Sequence, residues 1–293
     1  MLTMRVHVVD GTYELFRQHF GAATRHADRH RYAAAAGVVS STLTLVEDGA
    51  THIGVASDHT IESFRNELWS GYKTGEGMDP EILEQIPVME RALEAAGFTV
   101  WAMVDHEADD ALGAAAAVAD LDERVDQVLI VTPDKDLGQC VRGDRVVQFD
   151  RRKREIINAE GVREKFGVGP ESIPDYLGLV GDTADGFPGL PGWGAKSAAL
   201  VLARYTHLES IPTAVGQWDV SGLRGAAKLS ATLEAKRDEA MLFRKIASLD
   251  LQVEVGAVDD WKWRGPTSGF AAIADELDSP GLVAYAERLI PAD

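Results

Sequence analysis

One apolar run after another in this sequence ends in carboxylates: Asp10 in VVDG, Asp58 in VASDH, Glu107, Asp109 and Asp110 in VDHEADDALG, and Asp134 and Asp136 in VTPDKDLG. Singly, each has an ordinary reading: Asp10 as a turn residue before Gly11, Asp110 as an acid complementing a helix N-terminus, Asp134 as a turn aspartate after Pro133. Jointly that reading fails, because seven carboxylates gathered at one edge repel and raise one another's pKa unless cations hold them together. Oxygen donors without clustered Cys or His suit Mg²⁺ or Mn²⁺. The stretch GDTADGFPGLPGWGAKSAALVL adds Asp182 and Asp185, which share a face if the helix suggested by ESIPDYLGLVG runs through them. Two hard cations about 4 Å apart, activating a water and stabilising both the attacking and leaving oxygens on phosphorus, would use such a set for phosphodiester hydrolysis.

Directly after those aspartates, Gly189, Gly192 and Gly194 let backbone amides approach a phosphate without a Cβ in the way. A helix from about Ala195 would aim its N-terminal dipole at the same anion. This reads as a helix-hairpin-helix gripping the sugar-phosphate backbone, with Lys196 as an added contact and a small basic set around Arg224 and Lys228. A purely structural turn between two helices is the alternative.

Positioning the acids requires strands. RVHVV, HIGVA, FTVWAMV and VLIV have strand length and β-branched or aromatic content, VVQF is a fifth candidate, and helical spacing covers 33–46, 80–96 and 108–119. Strands alternating with helices predict an α/β protein with a mainly parallel sheet flanked by helices, whose ligands gather outside the carboxyl ends of the strands. After RRKREIINAEGVREKFGVGP the pattern turns helical. We therefore expect a core carrying the acidic site over 1–170 and a helical DNA-binding region with a C-terminal helical tail over 171–293. RRKR at 151–154 reads either as a hairpin tip or as a DNA patch.

The net charge of −18, from 29 Lys plus Arg against 47 Asp plus Glu, argues against a phosphate-rich partner unless several acids are metal ligands. Cys140 is the single cysteine, so no disulfide framework or cysteine zinc site is expected. The apolar run before Asp10 is too short for a signal peptide, and no segment reaches about 18 uninterrupted apolar residues, which points to a cytoplasmic protein without membrane contact.

In order, VVDGTYELFR, SDHTIESFRNELWSGYK, HEADDALG, TPDKDLGQ, GDTADGFPGLPGWGAKSA and LRGAAKLSATLEAKRDEAMLFRKIASLDLQV make the chain resemble the 5′ nuclease family over roughly residues 5–255. That family comprises the 5′–3′ exonuclease domain of bacterial DNA polymerase I, phage 5′ exonucleases and flap endonucleases. The resemblance implies a PIN-like nuclease core, a helix-three-turn-helix element, and two-metal cleavage of DNA at flaps, nicks or 5′ ends. It implies one cation at Asp10, Asp58, Glu107, Asp109, Asp110 and Asp134 and a second at Asp136, Asp182 and Asp185, with sharing between them, and K⁺ at the hairpin. Arg65 and Lys73 match basic positions facing the scissile phosphate, Tyr72 an aromatic beside that lysine, and Arg17 a basic position near the active site. A stand-alone, nucleoid-associated bacterial monomer, working beside a separate polymerase or ligase, is the expected setting.

Two segments depart from the family. YKTGEGMDPE puts Glu76 where a basic arch over the DNA is expected, and ATRHADRHRY carries Arg25, Arg29, Arg31 and a His26/His30 pair at zinc-binding spacing without an evident third ligand. A catalytically silent branched-DNA binder and a PIN-type ribonuclease are the competing functions. The complete acid set opposes the first, and the hairpin at 186–200 opposes the second.

Overall fold

The computed structural model describes residues 4–23 and 30–290. Arg25, His26 and Arg29 lie outside the described residues. The elements are β1 (Met4–Asp10), α1 (Gly11–Ala23), α2 (Ala33–Glu47), β2 (His52–Asp58), α3 (Phe64–Leu68), α4 (Pro80–Ala95), β3 (Thr99–Met103), α5 (Ala108–Leu121), β4 (Val125–Val131), β5 (Val146–Asp150), β6 (Glu155–Ile157), α6 (Ala159–Phe166), α7 (Ile173–Val180), α8 (Ala195–Tyr205), α9 (Ala226–Ala235), α10 (Arg237–Ala247), α11 (Phe270–Glu276) and α12 (Gly281–Leu289). Every strand and helix expected from periodicity forms within a few residues of its expected place. No helix among the described residues is long and apolar enough to cross a membrane.

Two compact units emerge. The first comprises the described residues within 1–61, 75–132 and 250–293. Its strands run parallel in the order β3-β2-β1-β4, with Val6, Val8 and Val9 of β1 fully buried, because a parallel sheet is covered on both faces and needs no polar alternation. Right-handed crossovers then fix the layers: α1, α2 and α4 connect strands progressing one way, while α5 connects β3 back to β4 beside β1 and takes the other face. The order reverses between β1 and β4, and such a switch point is where open α/β sheets bind ligands. The segment after residue 249 returns to this unit through indoles. Trp101 and Trp261 pack edge to face at 5.4 Å, both donate to the Val255 carbonyl, and Trp263 Nε1 donates to the Ala96 carbonyl at 2.9 Å.

The second unit comprises 62–74 and 133–249. Its β5 and β6 form an antiparallel hairpin whose tip is Arg151–Lys153 and Arg154, so RRKR is a hairpin tip as the strand-turn-strand pattern suggests. The helical core is built where α7 packs on α10: Phe187 stacks on Phe243 at 5.7 Å, and Trp69 meets the same ring edge-on at 5.1 Å. Asp175, buried in α7, accepts from the Leu208 amide and from Arg244 of α10, fixing the two helices in register.

Candidate functional site

In the first unit the acids lie at the carboxyl edge of the sheet. Asp10 ends β1 at the switch point, where its Oδ1 accepts the Tyr13 amide at 2.8 Å and its Oδ2 the Thr132 hydroxyl at 3.0 Å. Asp58 ends β2, and its Oδ1 accepts the Ala108 amide at 2.8 Å, tying the strand to the start of α5. Glu107 is the N-cap of α5, with Asp109 and Asp110 in its first turn, where negative charge complements the helix dipole. Asp110 is fully buried, accepting the Glu107 amide on one oxygen and the Asp250 amide on the other, so it also holds loop 250 in place.

In the second unit Asp136, Asp182 and Asp185 each present an oxygen within 4.8 Å of the others. The Asp136 amide donates to Asp134 Oδ1 at 2.9 Å, which bends the chain into the 3-10 turn at Asp136–Cys140 and turns Asp136 inward. There its Oδ1 is buried with no hydrogen-bond partner, and burial first, then the Asp134 and Asp185 charges, push its pKa well above the usual carboxylate range. A buried acceptor with no donor carries a desolvation cost of about 1–3 kcal/mol, and a cation removes it.

Asp182 and Asp185 converge by a route the helical reading misses. Helix α7 stops at Gly181, whose φ of 80° the helix cannot continue, and 182–187 closes as a tight turn in which Asp182 Oδ1 accepts the Ala184 amide at 3.0 Å. Segment 62–74 braces this turn, with Trp69 Nε1 donating to the Gly186 carbonyl and the Lys73 amide donating to the Asp185 carbonyl. Two lysines neutralise the group: Lys73 Nζ lies 3.0 Å from Asp185, and Lys135 pairs with Asp182. Burial alone would lower the Lys135 pKa, but the bond to Asp182 and the charges of Asp136, Asp182 and Asp134 outweigh it and raise the value. Lys135 escaped the sequence reading, although its place between Asp134 and Asp136 in TPDKDLG was the available signal.

The other basic and aromatic residues singled out in the sequence are placed within the two units as follows. Arg65, at 2% exposure, points into the second unit, its Nε donating to the Ile246 carbonyl at 2.8 Å and its Nη2 to the Ser248 carbonyl at 3.1 Å. It anchors the end of α10. Arg65→Ala is expected to destabilise the protein by ~2 kcal/mol, measured by urea unfolding, through loss of charge-assisted hydrogen bonds in a buried place. The Tyr72 ring is likewise buried in the helical core, with Lys73 Nζ 5.5 Å from its centroid, so it offers no stacking face. Arg17 lies in the first unit and forms a fork on the buried Glu14, with nitrogen–oxygen distances of 3.1 and 2.5 Å.

At the hairpin four of the expected residues lie together. Gly192, Gly194, Lys196 and Arg224 line one open cavity of about 500 Å³ at the start of α8, with Ser197 and Leu223. Lys228 is exposed on α9 and does not line it. Ser197 accepts the Gly194 amide at 3.1 Å, which satisfies the first amide at the start of α8. Gly189 has another role: it holds φ at 65°, and a Cβ there would sit 2.3 Å from the Gly181 nitrogen. Trp193, between the two open glycines, buries an indole nitrogen without a partner and packs on Trp218 at 6.2 Å.

A sheet edged with acids, carried with a helical unit built on a glycine hairpin, is the organisation of a resolvase-like nuclease domain joined to a SAM-type fold. The family models agree: the N-terminal resolvase-like domain of 5′-3′ exonucleases matches residues 5–167, and their C-terminal SAM fold matches 168–268. The chain belongs to the 5′-3′ exonuclease family. DNA polymerase I of Bacillus caldotenax is 30% identical over 291 residues, 93% of this chain and 32% of the polymerase, so the chain spans about a third of that relative. The 5′-3′ exonuclease of Buchnera aphidicola subsp. Schizaphis graminum is 26% identical over 257 residues, 86% of this chain and 88% of that one. T5 5′-exonuclease with bound divalent zinc shares the fold with a TM-score of 0.67 at 18% identity, covering 97% of this chain and 98% of its own. The catalytic core of Rad2 in complex with DNA substrate does so at 0.62 and 16%, covering 99% and 92%.

Proposed function

We propose that the protein is a structure-specific, metal-dependent 5′–3′ exonuclease and flap endonuclease acting on DNA at 5′ flaps, nicks and 5′ ends. The observation that carries this reading is the Asp136, Asp182 and Asp185 group, an all-oxygen donor set with one buried oxygen lacking a donor. Hard divalent ions fit such donors, and Mg²⁺ or Mn²⁺ is the proposed cofactor. Asp10, Asp58, Glu107, Asp109, Asp110 and Asp134 are the remaining proposed ligands. When bound, the ions supply an activated water and charge stabilisation on the phosphate. Lys73 and Lys135 neutralise the carboxylates beforehand, and Lys73, partly exposed, is the cation we assign to the phosphate in place of the buried Arg65. The functional division is kept near residue 170, with K⁺ as a further ligand of the hairpin. A bacterial, nucleoid-associated monomer working with a separate polymerase or ligase is the proposed setting.

Cleavage of 5′-flap, nicked, blunt and single-stranded DNA and of RNA, each with Mg²⁺, Mn²⁺ or EDTA, tests this reading. Metal-dependent cutting of flap or nicked DNA is expected, and cutting of RNA alone would favour the ribonuclease alternative. With a net charge of −18, binding should rest on few phosphate contacts. The slope of log affinity against log salt is expected on the order of −2 to −4, with tighter flap binding in Ca²⁺ than in EDTA. A slope steeper than about −6 would mean that a wide basic surface dominates.

A further inference from the structure

We propose that His19, Asp79 and Glu81 form a second metal site, selective for Zn²⁺-type ions over Mg²⁺ and distinct from the acids at the sheet edge. One ligand atom from each lies within 4.8 Å of the others. His19 is a buried imidazole on α1. Asp79 is the N-cap of α4; its Oδ1 accepts the Glu81 amide at 2.9 Å, which leaves Oδ2 towards His19 Nε2 at 3.3 Å, longer than a good N–H···O bond. Glu81 is the second residue of α4, with its side chain exposed.

His19 and Glu81 border a cavity of about 420 Å³, lined also by His30, Arg31 and Glu84, which leaves room for water beside the ion. The positive end of α4 works against a cation here, but it amounts to about half a charge against two carboxylates. Of the neighbouring acids, Glu84 already has a partner in Arg31 at 2.8 Å. The imidazole adds a nitrogen donor that suits Zn²⁺-type ions to two carboxylates, whereas Mg²⁺ prefers oxygen alone. His30, which with His26 has zinc-binding spacing but no evident third ligand in the sequence, lines the same cavity as His19 and pairs with Asp278 at 2.6 Å. A bound ion would tie α1 to the start of α4.

The test is Zn²⁺ binding by the full chain, followed by competition with a chromogenic chelator in excess Mg²⁺, which occupies the oxygen-only acids. One equivalent is expected in the wild type and in Asp136→Asn, weakened at least tenfold in His19→Gln and Glu81→Gln and unchanged in His207→Gln. Co²⁺ in place of Zn²⁺ should give visible d–d absorption that His19→Gln loses. Glu81 is exposed, so Glu81→Gln reports even if the buried His19→Gln fails to fold. Wild-type affinity in Glu81→Gln, or no Zn²⁺ retained in excess Mg²⁺, overturns the proposal.

Discussion

Asp136→Asn is expected to cut phosphodiester hydrolysis at least 100-fold, about 2.7 kcal/mol of transition-state stabilisation, while making the metal-free protein more stable. The two effects share one cause. Asp136 is buried beside Asp134, Asp182 and Asp185 with an oxygen that no donor satisfies, an arrangement that is costly without a cation and useful with one. Its pKa is raised in the folded state, so near the ordinary value of 3.8 and above it the folded protein holds a proton that the unfolded chain has released. Stability is therefore lost as pH rises through that window and is regained on acidification. The amide of Asn carries no such dependence. Melting temperatures of wild type and Asp136→Asn without metal should converge towards pH 4 and separate at pH 8, with the variant higher, and Mg²⁺ should raise the wild type more. Turnover on flap DNA above a tenth of wild type, a loss of only ~1.4 kcal/mol, would remove Asp136 from the metal ligands.

The second large effect separates two glycines of one hairpin. Gly189→Ala is expected to destabilise the protein by about 2–5 kcal/mol, combining left-handed strain with overpacking against the backbone at Gly181 and Val180. Gly194→Val should leave the melting temperature nearly unchanged, because Gly194 has an ordinary φ of −128° and open space around it. It should nevertheless weaken duplex binding about tenfold or more, ~1.4 kcal/mol, by placing a branched side chain in the cavity that Lys196 and Arg224 border. Thermal unfolding and fluorescence anisotropy with duplex DNA measure both. A stable Gly194→Val with wild-type affinity would take the hairpin off the binding surface.

The strands were legible because buried parallel strands read as unbroken apolar runs, and the acids because each run ended in one. What stayed illegible was burial on the short helix. Arg65 in FRNELW reads from the sequence as a cation facing a phosphate, yet it goes inward, where two carbonyls at the end of α10, some 180 residues later, accept from it. Tyr72 follows it into the core for the same non-local reason. Asp182 and Asp185 come together by a different geometry from the one their spacing suggests: i, i+3 spacing suits a helix face, but Gly181 ends the helix and an aspartate turn brings the oxygens together instead. Lys135 was overlooked because a lysine between two aspartates looks like charge balance on a solvated loop, whereas it reaches Asp182 across the fold.

The indole clasp of the first unit sets a timetable for synthesis. Trp101 and the Ala96 carbonyl leave the ribosome long before Trp261 and Trp263, and the whole intervening stretch 133–249 belongs to the second unit. At bacterial elongation rates of about 5–20 residues per second that interval lasts on the order of ten seconds, during which β3 waits with its apolar side uncovered. The second unit is thus expected to mature on the nascent chain before the first can close. Chains stalled so that residues up to about 250, but not Trp261, have left the ribosome should show a protease-resistant helical unit attached to a sheet that is still readily cleaved.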